Sequence, residues 1–103
     1  MSLTDKVKNL VTKYKDDTLT VRRHLHANPE LSFEEYETSK YVRSQLESFG
    51  ITEIGSIADT GLIAFIRGKN PKKKVIALRG DMDALPIFET NDVEYKSKNE
   101  GVM

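Results

Sequence analysis

The sequence of 103 residues contains no cysteine, no tryptophan and only three prolines. Without cysteine it can form no disulfide, no thiolate zinc site and no cysteine nucleophile. Its 16 basic residues are balanced by 16 acidic ones, so it lacks the basic surplus of a general nucleic-acid or anionic-membrane binder. No apolar run reaches the roughly 18 residues of a membrane span, and the first six residues lack the apolar stretch of a signal peptide. We therefore expect a cytoplasmic protein with no nucleic-acid or membrane partner.

Two amphipathic helices are predicted in the first half of the chain. Over residues 4–27, apolar side chains recur three or four positions apart and form one stripe. Pro29 ends this segment, because the residue before a proline is pushed out of helical geometry. Ser32 followed by Glu35 is a capping-box pattern and predicts the start of a second helix. Gly50 predicts where that helix ends.

Three to four short strands are predicted after the helices. They are rich in β-branched residues and bounded by glycine or proline, and they cover residues 51–57, 62–66, 75–78 and, more weakly, 93–95. The polar stretch 68–73 is interpreted as a solvated hairpin loop. Residues 75–78 are apolar without alternation, which is typical of a strand covered on both faces. Two helices can cover only one face of such a sheet, so we expect self-association or further polypeptide.

The strongest local signal for chemistry is the segment Arg79–Pro86, which directly follows an apolar strand. In α/β proteins, ligands and catalytic groups collect at the carboxyl ends of strands. Asp81 and Asp83 are two positions apart, and carboxylates so placed can hold a divalent cation or orient its ligands. The alternative is an ordinary turn in which the aspartates accept backbone N–H groups.

The two histidines, His24 and His26, suggest a metal site at first sight. On a helix, residues two positions apart do not share a face, so they cannot chelate one ion together. His26 lies at the helix end, where its ring can donate to a terminal carbonyl and a positive charge is favoured. A structural role is therefore favoured for both.

Taken in order, several separated motifs resemble the N-terminal portion of a known family. The stretches that carry the resemblance are Arg22–Glu35, Thr38, Leu46, Gly50, Thr60–Gly61 and Leu78–Pro86. The family is that of the metal-dependent amidohydrolases of the aminoacylase, hippurate hydrolase and indole-acetyl-amino-acid hydrolase type, related to the glutamate carboxypeptidase-like metallopeptidases. The resemblance covers the chain from about residue 5 to residue 103.

The resemblance implies that residues 1–103 are the N-terminal part of a catalytic domain with a three-layer α/β/α sandwich fold. It also implies two divalent metal ions, of the zinc, manganese or cobalt type, that activate a water and polarise the scissile carbonyl of an N-acyl amino acid or peptide-like substrate. In the family, the segment resembling Asn99–Met103 is followed by a His-Ala-Cys-Gly-His-Asp motif that supplies metal ligands. The principal ligands are therefore expected beyond Met103. We expect the chain alone to be inactive and to bind no metal tightly.

Among the residues present, the resemblance implies a role for Asp83 above all. It matches the aspartate that orients a metal-binding histidine or supports the metal pair, which is a task suited to a carboxylate. Asp81 falls where related carboxypeptidases place a histidine ligand, but aspartate is usual there in this subgroup, so its role as a ligand is doubtful. His26, Pro29, Glu30 and Glu35 also match the family pattern, and we assign them structural roles.

Two alternatives use the same features differently. An apolar strand followed by Asp-x-Asp resembles the opening motif of haloacid-dehalogenase-type phosphatases, although Leu85 stands where that motif has threonine or valine. The second alternative is a non-catalytic α/β interaction module, or a remnant, that acts through its uncovered sheet face.

Overall fold

The computed structural model describes all residues from 1 to 103 and contains two helices followed by one antiparallel hairpin. In chain order the elements are α1 (Leu3–Ala27), α2 (Tyr36–Ser48), β1 (Glu53–Ile57) and β2 (Gly61–Phe65). The predicted α/β class is confirmed, and both helices and the first two strands lie close to their expected positions. Neither helix has the length and apolar character that crossing a membrane would need.

Helix α1 begins with a capping box that the sequence prediction missed. The Ser2 hydroxyl accepts the Asp5 N–H at 3.1 Å, and the Asp5 carboxylate accepts the Ser2 N–H at 3.1 Å. Each side chain thus satisfies a backbone donor that has no partner inside the helix. At the other end, the Asn28 N–H and side-chain amide both donate to the His24 carbonyl, at 3.1 and 2.8 Å.

Helix α2 is capped differently from the prediction, and the expected capping box is wrong. Its N-cap residue is Glu35, whose side chain makes no capping hydrogen bond, because that carboxylate and the Ser32 hydroxyl are both engaged elsewhere. Glu30, in the loop that precedes the helix, caps α2 instead. Its carboxylate accepts the N–H of Glu37 at 3.3 Å and both the N–H and the hydroxyl of Thr38.

The hairpin pairs Glu53 with Phe65 at its open end and Ile57 with Gly61 at its turn. The turn residues Ala58 and Asp59 have φ values of 49° and 64°, the left-handed geometry that tight hairpin connections use. A Cβ atom on Gly61 would lie 2.7 Å from the Ile57 carbonyl oxygen, so only glycine fits this close approach.

The third and fourth predicted strands do not form. Residues 75–78 have no regular secondary structure, and the exposed fractions of Val75, Ile76 and Leu78 are 82%, 81% and 97%. A strand needs a hydrogen-bonded neighbour, and the described chain places none beside this segment. The stretch 68–73 is therefore a turn that joins no second hairpin. Residues 93–95 likewise form a turn, in which the Lys96 N–H donates to the Val93 carbonyl.

The chain has almost no hydrophobic core of its own, because only five of its 103 residues are buried. Its accessible surface is 8905 Å², against roughly 5,900 Å² for a compact monomer of the same mass. Its radius of gyration is 16.2 Å, against about 13 Å for a compact domain of this length. About 3,000 Å² of surface is therefore exposed in excess, well above the roughly 800 Å² that each partner buries in a standard interface.

We expect the isolated chain to self-associate through this surface, because it exposes a continuous apolar segment at Val75–Leu78. Sedimentation velocity should show species larger than 11.7 kDa. The double variant Val75→Asp/Leu78→Asp should shift the distribution towards the monomer. Asn70→Asp, which adds charge in a neighbouring exposed turn, is the matched control and should not. A wild-type monomer that unfolds in one cooperative transition would contradict this expectation.

Candidate functional site

Asp83 lies where the segment after residue 78 meets the loop between the two helices. A parallel bridge joins Leu31 to Ala84, and the Ala84 N–H donates to the Glu30 carbonyl at 2.8 Å. With the two backbones fixed in this register, the Ser32 hydroxyl donates to Asp83 Oδ2 at 2.6 Å. The remaining oxygen, Oδ1, has no protein partner, so Asp83 presents one free acceptor at the surface of the chain.

Asp81 has a different partner from Asp83. Its Oδ1 lies 3.2 Å from an Arg79 guanidinium nitrogen, and the exposed fractions of the two side chains are 71% and 90%. An ion pair this exposed contributes little to stability. The structure therefore gives the two aspartates separate partners, and it does not bring them together around a common point.

Glu35 is a buried carboxylate beside Asp83. The residue is 7% exposed, and its side chain accepts the hydroxyl of Thr60, which is 5% exposed, and the Phe33 N–H at 2.9 Å. The Thr60 hydroxyl lowers the pKa of Glu35, against the opposing effects of burial and of the Asp83 negative charge. Glu35 is thus held ionised next to a second carboxylate. In the sequence, Thr60 stands out only as part of the family motifs, and nothing there indicates its contact with Glu35.

Glu89 is a second buried carboxylate, which the sequence analysis did not single out. Its side chain is 2% exposed and receives the Ser97 N–H at 2.8 Å and His26 Nε2 at 2.9 Å. The expectation that His26 donates to a helix-terminal carbonyl is wrong, because its ring meets Glu89 instead. No motif in the sequence connects residues 63 positions apart, which is why this pair was missed.

The C-terminal residues lie beside the Asp83 loop. Leu85 and Met103 exchange two backbone hydrogen bonds of 2.8 and 2.9 Å. Two further bonds tie this segment to the end of α1, from the Lys98 N–H to the Ala27 carbonyl at 2.9 Å and from the Asn99 side-chain amide to the Pro29 carbonyl at 2.6 Å. Asp83 and Met103 are therefore brought to the same edge of the molecule.

The two histidines have separate protein partners. The His24 ring stacks on Tyr41 of α2 with ring centroids 3.8 Å apart. His26 binds Glu89 and meets the edge of the Tyr95 ring at 5.5 Å. These contacts agree with the structural roles predicted for both residues.

The residues present fit a supporting role beside a metal ion but do not form a ligand set. No group of three or more histidine, aspartate or glutamate side chains comes close enough together to hold a metal. Asp83 has one carboxylate oxygen held by Ser32 and one left as an acceptor, and a carboxylate with a free oxygen is the kind of group that can accept the N–H of a metal-binding imidazole.

We expect the bond between Glu89 and Ser97 to weaken in acid. The Ser97 N–H, followed by His26, lowers the pKa of Glu89 from its ordinary value of 4.5. A lowered folded-state pKa adds stability that is fully present above pH 4.5 and is lost as the pH falls through the folded pKa. In an NMR titration, the Ser97 amide proton should report a midpoint below 4.5.

The same titration should be absent in Glu89→Gln, which carries no titrating carboxyl. Glu94→Gln, an exposed glutamate in the same segment, is the matched control and should keep the Ser97 transition. A wild-type midpoint at or above the ordinary glutamate value would contradict the assignment.

Comparison with known proteins finds no matching family model but several clear relatives. Thermostable carboxypeptidase 2 of Saccharolobus solfataricus is 51% identical over the whole chain and 26% of its own length. The N-acyl-L-amino acid amidohydrolase of Geobacillus stearothermophilus is 48% identical over 96% of the chain and 26% of its own length. An IAA-amino acid hydrolase ILR1-like 2 of Arabidopsis thaliana is 49% identical over 85% of the chain.

A solved structure also matches. The YXEP protein of Bacillus subtilis, described as a dinuclear metal binding peptidase from the M20 family, superposes with a TM-score of 0.82 at 42% identity. The match covers 89% of this chain and 26% of that protein. The chain thus spans about a quarter of the length of these relatives. The predicted resemblance is confirmed, because the homologues are carboxypeptidases, an N-acyl-L-amino acid amidohydrolase and an IAA-amino acid hydrolase, and the matching solved structure is a dinuclear metal binding peptidase.

Proposed function

We propose that residues 1–103 form the N-terminal part of the catalytic domain of a metal-dependent amidohydrolase. The proposed substrates are N-acyl amino acids or peptide-like molecules. The observation that carries the proposal is the superposition on a dinuclear metal binding peptidase, with a TM-score of 0.82 at 42% identity. The names of the carboxypeptidase and amidohydrolase relatives support the same reaction class, the cleavage of an amide bond.

Asp83 is the residue of this chain that serves the reaction most directly in this proposal. Its free Oδ1 accepts the outer N–H of a metal-binding imidazole, which fixes the ring and strengthens its donation to the metal. Asp81 is a weaker candidate, because its carboxylate is exposed and paired with Arg79. When bound, two divalent ions lower the pKa of a water and polarise the scissile carbonyl.

The metal ligands themselves are proposed to lie beyond Met103, in polypeptide equivalent to the other three-quarters of the relatives. The hydrogen bonds between Leu85 and Met103 place the last residue of the chain next to the Asp83 loop. Zinc, manganese or cobalt is the expected type of metal, and the cytoplasmic location stays a prediction.

A second candidate function is association with another polypeptide without catalysis. The excess exposed surface and the bare segment Val75–Leu78 favour it. This second function is compatible with the first proposal, since further polypeptide of a longer enzyme would cover the same exposed surface. The phosphatase alternative receives no support, because the relatives at 47 to 51% identity are carboxypeptidases and an amidohydrolase.

The proposal predicts that the chain can replace its counterpart in a working relative. In a hybrid, residues 1–103 would substitute for the matching segment of the Geobacillus stearothermophilus amidohydrolase, to which they are 48% identical over 99 residues. The hybrid should hydrolyse an N-acetyl amino acid and bind two divalent ions by elemental analysis. The isolated chain should do neither. A folded hybrid without activity or metal, or clear turnover by the isolated chain, would contradict the proposal.

Within the hybrid, Asp83→Asn should lower kcat by about 10- to 100-fold, the usual cost of removing a group that orients a metal ligand. His24→Gln should have a much smaller effect, because the His24 ring stacks on Tyr41 and makes no contact with Asp83 or Ser32. Steady-state kinetics and metal content of the two variants give the comparison. Equal losses in both would refute the role given to Asp83.

A further inference from the structure

The turn between Leu31 and Glu35 is built in an unusual conformation. Phe33 has a φ of 65°, which is costly for a bulky residue without a compensating contact. Two hydrogen bonds at this turn compensate for that cost. The Phe33 N–H donates to Glu35 Oε1 at 2.9 Å, and the Glu34 N–H donates to the Leu31 carbonyl at 2.9 Å.

The buried Glu35 side chain holds this turn in place. Its second carboxylate oxygen accepts the Thr60 hydroxyl at the end of the hairpin turn, and both residues are less than one-tenth exposed. The Phe33 side chain, by contrast, is 74% exposed, so packing of its ring does not explain the strained backbone. The residue that directly precedes Phe33 in this turn is Ser32.

Ser32 points across to a segment 51 residues away and donates to Asp83 Oδ2 at 2.6 Å. The bridge between Leu31 and Ala84 holds the two residues at this separation from the adjacent backbone positions. Asp83 is exposed, so packing does not fix its carboxylate, and the Ser32 hydroxyl is the protein group that restrains it.

We propose that Ser32 is a positioning residue for Asp83: it binds one carboxylate oxygen and so aims the other at the reacting centre. This inference rests on the proposed function for its catalytic meaning, while the contact itself can be tested without a metal. Removing the hydroxyl leaves an exposed carboxylate free to rotate, and a carboxylate in several orientations orients a metal-binding ring less well.

The first arm of the test uses the metal-free hybrid enzyme with isotope-labelled aspartate and needs no activity. Three-bond NMR couplings about χ1 of Asp83 should show one dominant rotamer in the wild type and in Ser32→Thr, which retains a hydroxyl. They should show averaging in Ser32→Ala. Ser48→Ala, which removes a hydroxyl bonded only to the Gln45 carbonyl, is the matched control and should behave like the wild type.

The second arm uses the hybrid enzyme. Ser32→Ala should lower kcat by about 10-fold with KM unchanged, the low end of such effects, and Ser32→Thr should restore most of the loss. In an Asp83→Asn background, Ser32→Ala should cause no further fall, because a positioning residue acts only through its partner.

Each outcome decides one question. Identical Asp83 rotamers in the wild type and Ser32→Ala, or an active hybrid in which Ser32→Ala has full kcat, would overturn the inference. A further fall of kcat in the Asp83→Asn background would also overturn it. An inactive hybrid whose Asp83 rotamer still depends on the hydroxyl would refute the proposed function and leave the contact supported.

Discussion

Glutamate carboxylates that cross-link distant segments are the interaction on which this structure depends. Glu30 caps α2 from the preceding loop, Glu35 joins that loop to the hairpin turn, and Glu89 joins the C-terminal segment to α1. Hydrogen bonds to charged groups are among the stronger ones in proteins. With only five of 103 residues buried, these bonds are the main contacts that join segments far apart in the sequence.

These cross-links converge on the edge of the molecule that carries Asp83. The interhelical loop, the segment around Ala84 and the last residues up to Met103 meet there through backbone and side-chain bonds. The apolar segment Val75–Leu78, by contrast, is exposed. The chain therefore combines a hydrogen-bonded polar edge with an apolar segment that no part of the chain covers.

Periodicity and glycine placement were enough to predict both helices and the hairpin strands, because those features depend on neighbours close in the sequence. The segment 75–78 was predicted as a strand from its apolar residues, but a strand needs a partner that these residues do not supply. The Ser32 and Glu35 pattern was misinterpreted for a related reason. Its side chains bind Asp83 and Thr60, and contacts over 51 and 25 positions leave no local signature. The Asp83 loop was singled out by its two aspartates after an apolar segment, and the ordered family motifs then suggested the role of Asp83.

The most direct test of this account is a crystal structure of the hybrid enzyme with its metal ions bound. The account predicts that Asp83 Oδ2 keeps its bond to Ser32 and that Oδ1 lies about 3 Å from the outer ring nitrogen of a metal-binding histidine. An Asp83 side chain turned away from both the serine and the metal centre would contradict it.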